Sequence, residues 1–433
     1  GKPGGLFAQR PDGTFELINK SAWDADSIYE DHGALFFDAD LDGDPDLLVL
    51  SGGYESVSPE AWKHRLYINE KNKGFLPAHS ALPKLNDVCL RAVALDFDGD
   101  RDLDLFLGGR VKPGRYPTNP ESYILRNDGN KFVDVTKEVS PDFGNIGMVS
   151  DLEVGNIDSD PENELIVVGE WMPITVFNIA NGKIEKADLE ALGLGGSNGF
   201  WNCVSLADMN ADGRLDIIAG NIGLNTQYRA SNTHPIQCFV SDIDKNGSLD
   251  PIITYFEGDI SYPVVQKDVL IKQTPVMKKR YLYAKNYGTA TIEEILGKEK
   301  LKESTILRCY MVESGWWENQ SGKFLFHKFP NQAQVSPVQG MVIQDLDGDG
   351  LIDILVAGNK YNMEVETGRL DAGTGAFFKG NGKGEFGWIN NLVTGIWADR
   401  DVRDLALLHG PNHKTRILIT NNNAQAQLYE FNK

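Results

Sequence analysis

The sequence predicts an all-β protein, a seven-bladed β-propeller with an eight-bladed ring as its rival, and three patterns carry that prediction. A nine-residue loop with carboxylate or amide side chains at positions 1, 3, 5 and 9 recurs six times. An apolar, strand-like run flanks each copy, and seven such runs end in glycine, at Gly53, Gly109, Gly169, Gly220, Gly258, Gly358 and Gly410. With 433 residues and 45 glycines the chain exceeds a typical domain, yet a radial array of small sheets with short, protected edges is commonly one unit of this size.

The loop copies are Asp38, Asp40, Asp42 and Asp46; Asp96, Asp98, Asp100 and Asp104; Asn156, Asp158, Asp160 and Glu164; Asp208, Asn210, Asp212 and Asp216; Asp242, Asp244, Asn246 and Asp250; and Asp345, Asp347, Asp349 and Asp353. Together they hold 24 of the chain's 62 carboxylates, against three cations (Arg101, Arg214 and Lys245). Their net charge of −21 accounts for the whole chain's −20. The acidity is therefore local. It argues against nucleic-acid and anionic-membrane partners, and it belongs to sites built for cations.

Ordinary Asp-Gly surface turns are the plain alternative. Carboxylates about 4 Å apart repel by roughly 1 kcal/mol per pair in water and more at a protein surface, so five in one loop is costly without a cation. An EF-hand is excluded because position 12, which needs a bidentate Glu, is Val49, Leu107, Val167, Ala219, Ile253 or Val356. The loops offer hard oxygen donors and no His or Cys, which favours calcium over zinc or copper. Side chains at 1, 3, 5 and 9, a backbone carbonyl at 7 (Asp44, Asp102, Glu162, Arg214, Ser248 and Leu351) and water supply about the 6 to 8 ligands calcium takes. Gly43, Gly213, Gly247 and Gly350 at position 6 permit the sharp turn, and Arg101 and Pro161 depart from it. About five or six Ca2+ ions are expected, with the third loop (Asn156, Pro161, Glu164) the weakest.

Each unit reads as four strands: a first strand, the acidic loop, an apolar strand ending in Gly, then a second hairpin. Ala34 to Phe37, Leu47 to Leu50, Arg65 to Asn69 and Gly74 to Ala78 make the first unit. The second repeats it as Ala92 to Leu95, Leu103 to Leu107, Tyr123 to Asn127 and Lys131 to Val135, with Asn127-Asp128-Gly129 as its turn. In the long interval before Asp345, Asp268 to Tyr283 and Thr291 to Ser304 read as helices, and Thr291 with Glu294 is a capping box. Trp316 to Asn319 and Lys323 to His327 then resume an outer hairpin. Asp399, Asp401 and Asp404 look like a seventh, broken loop unfit for metal. One propeller, 1–433, is expected, with 1–20 a hairpin closing the last blade, 263–305 a helical insertion and 396–433 the closing blade. Cys89, Cys203, Cys238 and Cys309 lie in or near apolar runs without Cys-x-x-Cys spacing, so buried thiols are expected. No run of 18 apolar residues could span a membrane, and no secretion signal is seen at the start of the sequence.

The acidic loops and glycine exits resemble the FG-GAP or VCBS repeats of integrin-type propellers. Ser51-Gly-Gly-Tyr-Glu55, Leu107 to Pro117, Gly169-Glu-Trp-Met-Pro173, Gly220-Asn-Ile-Gly-Leu-Asn225, Gly368 to Gly373 and the helical insertion further resemble the VCBS-repeat cell-surface proteins of the Bacteroidota, similar to cartilage acidic protein (ASPIC/UnbV-associated). That resemblance covers nearly the whole chain. It implies calcium binding and a non-enzymatic scaffold, adhesion or protein-protein interaction role. The implied setting is extracytoplasmic, at the cell surface or outer membrane of a Gram-negative bacterium within a larger lipoprotein, or secreted. In that family such a propeller is often one of two in a longer chain, and residues 1–13 look like the middle of a repeat lacking its inner hairpin.

A strand of about five residues spans roughly 17 Å, so loops and glycine exits lie at opposite ends of the blades. Partner-binding candidates at the exits are Tyr54, Arg110, Tyr116, Trp171, Asn221, Tyr361 and Arg369, accompanied by Glu55, Arg115, Glu170 and Asn225. Expected partners are other cell-surface or outer-membrane proteins, with glycan as a further class. Packing between blades is the competing role for Trp171 and Tyr116. No His-Glu-x-x-His, Gly-x-Ser-x-Gly or phosphate-loop motif occurs. The alternatives to a scaffold are a glycan-binding, lectin-like propeller and a polysaccharide lyase, for which Arg110, Tyr116, His234 and Tyr361 are the only candidates for catalysis.

Overall fold

The computed structural model describes residues 4–18, 21–53, 62–71, 73–129, 131–363, 367–410 and 414–431. The chain is mostly β, arranged as small antiparallel sheets. Six follow one another. The first consists of Asp31–Phe37, Asp46–Ser51, Arg65–Glu70 and Gly74–Pro77; the second of Val88–Leu95, Asp104–Val111, Tyr123–Asn127 and Phe132–Asp134. The third has Met148–Gly155, Glu164–Met172, Thr175–Ala180 and Lys183–Lys186, with Gly199–Phe200 added beside its second strand. The fourth pairs Cys203–Ala207 and Asp216–Gly220 with Gly315–Asn319 and Phe324–Lys328. The fifth comprises Gly340–Gln344, Asp353–Ala357, Ala376–Gly380 and Phe386–Ile389, and the sixth only Val402–His409, Thr415–Asn421 and Gln427–Glu430.

The second strand of each of the first five sheets shows why apolar residues run without interruption after each loop. Successive side chains point to opposite faces, and both faces are buried. Leu105 and Leu107 pack toward the first sheet and Phe106 toward the third; Leu165 and Val167 pack toward the second and Ile166 and Val168 toward the fourth. Ile217 with Ala219 and Ile218 divide in the same way, as do Ile354 with Val356 and Leu355. Five apolar interfaces thus link six sheets in series. The first strands of the second, third and sixth sheets converge. The Arg91 guanidinium lies 3.4 Å from Asp151 Oδ1 and 3.3 Å from Asp404 Oδ2. Each of these three residues follows a register shift in its strand.

Chain order misled the sequence reading at three places. The fifth acidic loop does not open a sheet in the series. It lies in a separate sheet of Ile236–Ser241, Asp250–Glu257, Ile260–Pro263 and Thr305–Cys309, inserted between the second and third strands of the fourth sheet. The outer hairpin at 315–328 therefore completes the fourth sheet, and Gly258 leaves the inserted one. The predicted capping box is present: Thr291 N–H donates to Glu294 Oε2 at 3.0 Å and Glu294 N–H to Thr291 Oγ1 at 3.2 Å, opening the helix Ile292–Glu303. Asp399, Asp401 and Asp404 are not a loop between paired strands, because they precede or lie within the first strand of the sixth sheet; Gly410 follows that first strand rather than a second one, so it is no exit. The N-terminal strands Leu6–Gln9 and Phe15–Ile18 form a two-stranded sheet of their own. Arg416 Nη1, donating to the Gly13 carbonyl at 2.7 Å, ties that hairpin to the sixth sheet. The four cysteines are free and buried.

Candidate metal centres

The loops share one hydrogen-bonding scheme. The position-1 carboxylate accepts from the position-6 N–H: Gly43 to Asp38 Oδ2 at 3.0 Å, Arg101 to Asp96 Oδ2 at 3.0 Å, Gly213 to Asp208 Oδ2 at 2.7 Å, and Gly247 and Gly350 to Asp242 and Asp345 at 2.9 Å. That bond requires a left-handed residue at position 6, with φ between +83° at Arg101 and +89° at Gly247. Pro161 can supply neither this φ nor the N–H. In the third loop the Asn156 amide donates instead to the Asp160 carbonyl. At position 5, Asp42, Asp100, Asp160, Asp212, Asn246 and Asp349 each accept from the N–H two residues on.

Position 9 anchors the loop to the sheet. Asp46, Asp104, Asp216 and Asp353 are fully buried, and each accepts from the position-2 N–H with one oxygen and from a third-strand N–H with the other. The third-strand donors are Asn69 at 2.7 Å, Asn127 at 2.9 Å, Asn319 at 2.7 Å and Gly380 at 3.0 Å. Glu164 and Asp250 accept from Ile157 and Ile243, both at 2.9 Å. Burial raises these carboxyls against the pull of the backbone donors, and neighbouring loop carboxylates add to the rise. Asp104 and Glu164 are pushed up to about 7 and Asp216 up to about 6. Burial and then Asp100, Asp98 and Asp96 push Asp102 up to about 6.

Among the described residues, five acidic groups could hold a metal ion, each with one oxygen per residue and all within 4.8 Å of one another: Asp38, Asp40 and Asp42; Asp96, Asp98 and Asp104; Asp158, Asp160 and Glu164; Asp242, Asp244 and Asp250; and Asp345, Asp347 and Asp353. The buried oxygens Asp38 Oδ1, Asp102 Oδ1 and Asp244 Oδ1 have no hydrogen-bond partner. A buried anionic oxygen without a partner is costly, and a cation is the group that would satisfy it. The donor set fits a hard divalent ion. The third loop, expected to be the weakest, does form a triad. In the fourth, Asn210 replaces a carboxylate, and the Arg214 side chain pairs with Asp212 and donates Nε to the Asn319 carbonyl at 2.7 Å. At the sixth loop the Lys379 ammonium pairs with Asp347 and lies 2.9 Å from Asp349.

Sequence reasoning missed the asparagines that end the third strands. Asn127 Nδ2, buried, donates at 2.9 Å to the carbonyl of Ala39 in the neighbouring first loop and at 3.4 Å to that of Leu103. Asn319 Nδ2 repeats this at the third loop, 2.6 Å from the Ile157 carbonyl and 3.0 Å from that of Leu215. A loop is therefore fixed by its own sheet and by the next. An asparagine just before the hairpin turn, at 127 and 319, was the visible signal.

The exit residues are scattered in role. Tyr54 and Glu55 lie outside the described residues. Asn221 is fully buried rather than exposed: its Oδ1 accepts from the Ile222 and Phe200 N–H groups, and its Nδ2 donates to the Met311 carbonyl at 3.1 Å, holding the inserted segment. Trp171 is also buried, with a left-handed φ of +65°, and donates Nε1 to Tyr116 Oη at 3.1 Å, so packing describes it better than a ligand platform. Tyr116 and Arg110 converge on Glu170, at 2.5 Å and 2.6 Å. Burial would raise Glu170, but Arg110 and Lys360 outweigh it and hold the carboxyl down at about 2. Arg369 stacks over the Tyr361 ring at 4.7 Å, and Tyr361 donates to the Asp399 carbonyl at 3.0 Å. His234, the remaining candidate for catalysis, faces Asp259 at 3.2 Å in the inserted segment.

No protein-family model matches the chain, and no curated protein matches it. Solved structures do align along most of its length. The V. cholerae biofilm matrix protein Bap1 aligns at 13% identity and a TM-score of 0.36, over 97% of this chain and 72% of that one. A Bacillus licheniformis rhamnogalacturonan lyase, PL11, aligns at 12% identity and a TM-score of 0.35, over 99% and 74%. BBS1N, solved in complex with ARL6DN, aligns at 10% identity and a TM-score of 0.36, over 93% of each chain. Scores this low support no statement about what the chain binds or does.

Proposed function

We propose that the chain is a calcium-binding, non-enzymatic β-propeller of the FG-GAP/VCBS type, working outside the cytoplasm as a cell-surface scaffold or adhesion module. The observation that carries the calcium reading is the closure of five carboxylate triads within 4.8 Å while buried oxygens of Asp38, Asp102 and Asp244 stay unpaired. In this reading the side chains at positions 1, 3, 5 and 9 and the position-7 carbonyls hold the ions, and the ion supplies charge neutralisation rather than chemistry. Extracellular-type sites bind calcium with Kd of about 10⁻⁴ to 10⁻³ M, so millimolar calcium outside the cytoplasm fills them.

The structure offers a route from ion to scaffold. An ion at the first loop stiffens the backbone that carries the Ala39 carbonyl, which accepts from Asn127 of the second sheet; Ile157 and Asn319 do the same between the third and fourth. Calcium then stabilises the contacts between sheets as well as single turns. Isolation of the chain from its native membrane in calcium and in chelator tests the role: surface or outer-membrane proteins co-purify in calcium alone if the scaffold reading holds. A chain that instead releases unsaturated products from uronate polysaccharides would be an enzyme, and the proposal would fail.

A further inference from the structure

Apolar cores cover both faces of the second to fifth sheets, but only one face of the sixth, the one bearing Val402, Leu405, Ile417 and Ile419. On its other face Ala406, Leu418 and Leu428 stand opposite one another across three strands. Leu428 is 42% exposed, and no core cluster of the described residues contains any of the three. The outward face of the first sheet is buried at its centre by short local segments rather than by another sheet of the series. Leu47, Val49 and Tyr67 meet Trp23, Phe75 and Leu6, while Phe36 is 52% exposed.

The N-terminal hairpin stands between these two faces. Leu6 touches the first sheet. Phe7 and Leu17, directly opposite each other, are 59% and 38% exposed, and Phe15 is 40% exposed. The turn at Gly13 sits beside the start of Thr415–Asn421, the loop end of the sixth sheet. Placement and order match the third and fourth strands of a sheet: an outer hairpin, with its turn at the loop end, followed in the chain by the first strand of the next sheet. Two strands are present where the second to fifth sheets have at least four, and among the described residues the outer edge of Leu6–Gln9 is unpaired.

We infer that the space between the sixth and first sheets is a docking seat for a two-stranded β-hairpin of the same kind as the inner pairs of the other sheets. That occupant is apolar on both faces, has an acidic turn, and pairs along Leu6–Gln9. The argument is continuity: five consecutive interfaces are sheet on sheet, and the exposed residues of the sixth sheet and the hairpin continue the same pattern. Edge pairing supplies backbone hydrogen bonds and the flanking faces supply burial.

The test uses the 433-residue chain and a fluorescein-labelled peptide of residues 31–51, whose acidic turn keeps it soluble. In calcium buffer the peptide is expected to bind one to one and to reduce the emission of 8-anilinonaphthalene-1-sulfonate bound to the chain. Phe7→Asp with Leu418→Asp should weaken peptide binding at least tenfold with an unchanged circular-dichroism spectrum. Fusing residues 31–51 ahead of residue 1 through a Gly-Ser linker should raise the melting temperature by several degrees over a scrambled fusion. Binding no better than that of the scrambled peptide, together with no gain from the fusion, overturns the inference. Concentration-dependent dimers by light scattering that the two substitutions abolish would overturn it too, since the occupant would then be a second copy.

Discussion

Calcium removal should make stability fall as pH rises, and the carboxyls at position 9 set the size of the effect. Asp104 is fully buried and its folded pKa stands at about 7, against roughly 3.9 in an unfolded chain. The folded state therefore keeps a proton that the unfolded state releases over this interval. The stability this contributes is complete below pH ~4 and is lost as pH rises through about 7. A difference of about three units at roughly 1.4 kcal/mol each is about 4 kcal/mol. Glu164, at about 7, and Asp216, at about 6, act in the same direction. Together the three reach on the order of 10 kcal/mol, comparable to the whole stability of a typical domain. A divalent ion favours the charged carboxylates and cancels this loss. Urea or thermal unfolding at pH 5, 6, 7 and 8, in chelator and in 2 mM calcium (a buffer choice near the extracellular regime), provides the assay. Glu170, held at about 2, stays ionised across this window and does not contribute. The chelated protein should lose stability from pH 5 to about 7 and level off toward pH 8, while the calcium-loaded protein changes little. A flat chelator series, or the same fall in both series, would refute the reasoning.

Three further outcomes follow from the same geometry. Asn127→Ala strands the buried Ala39 carbonyl and loosens the part-buried Leu103 carbonyl, so denaturant unfolding should show a loss of about 1 to 3 kcal/mol; a loss under 0.5 kcal/mol would remove the tie between sheets. Lys379→Met frees Asp347 and Asp349 of an exposed, salt-screened ammonium, so calorimetry should find the sixth loop binding calcium a few-fold tighter at low salt; unchanged affinity would mean the lysine does not compete. Asp347→Ala should abolish calcium at that loop alone and leave the other triads filled; loss of all sites together would show that they do not act independently.

The loops and their flanking strands were legible because five oxygen donors in nine residues, bracketed by apolar runs, leave few other arrangements. The helix after Thr291 was legible through its reciprocal cap. The placement of the fifth loop was not: a strand order interrupted after Asp216–Gly220 and resumed at Gly315–Asn319 leaves no local mark, since each half has ordinary strand chemistry. Asp399, Asp401 and Asp404 imitated a loop by spacing alone, whereas hydrogen-bond register places Asp404 within a first strand, beside Arg91. Exposure was read from residue type at Trp171 and Asn221, and both are buried, because the inserted sheet packs over the exit end of the third sheet, where Trp171 shares a cluster with Ile236, Cys238 and Cys309. The asparagine ties between sheets depend on which sheets are neighbours, information that no single repeat contains.

The most direct test is the number of calcium ions bound per chain, by equilibrium dialysis with radioactive calcium at millimolar free ion. The account predicts about five, one for each carboxylate triad, falling by one with Asp347→Ala. Fewer than one ion per chain would contradict it.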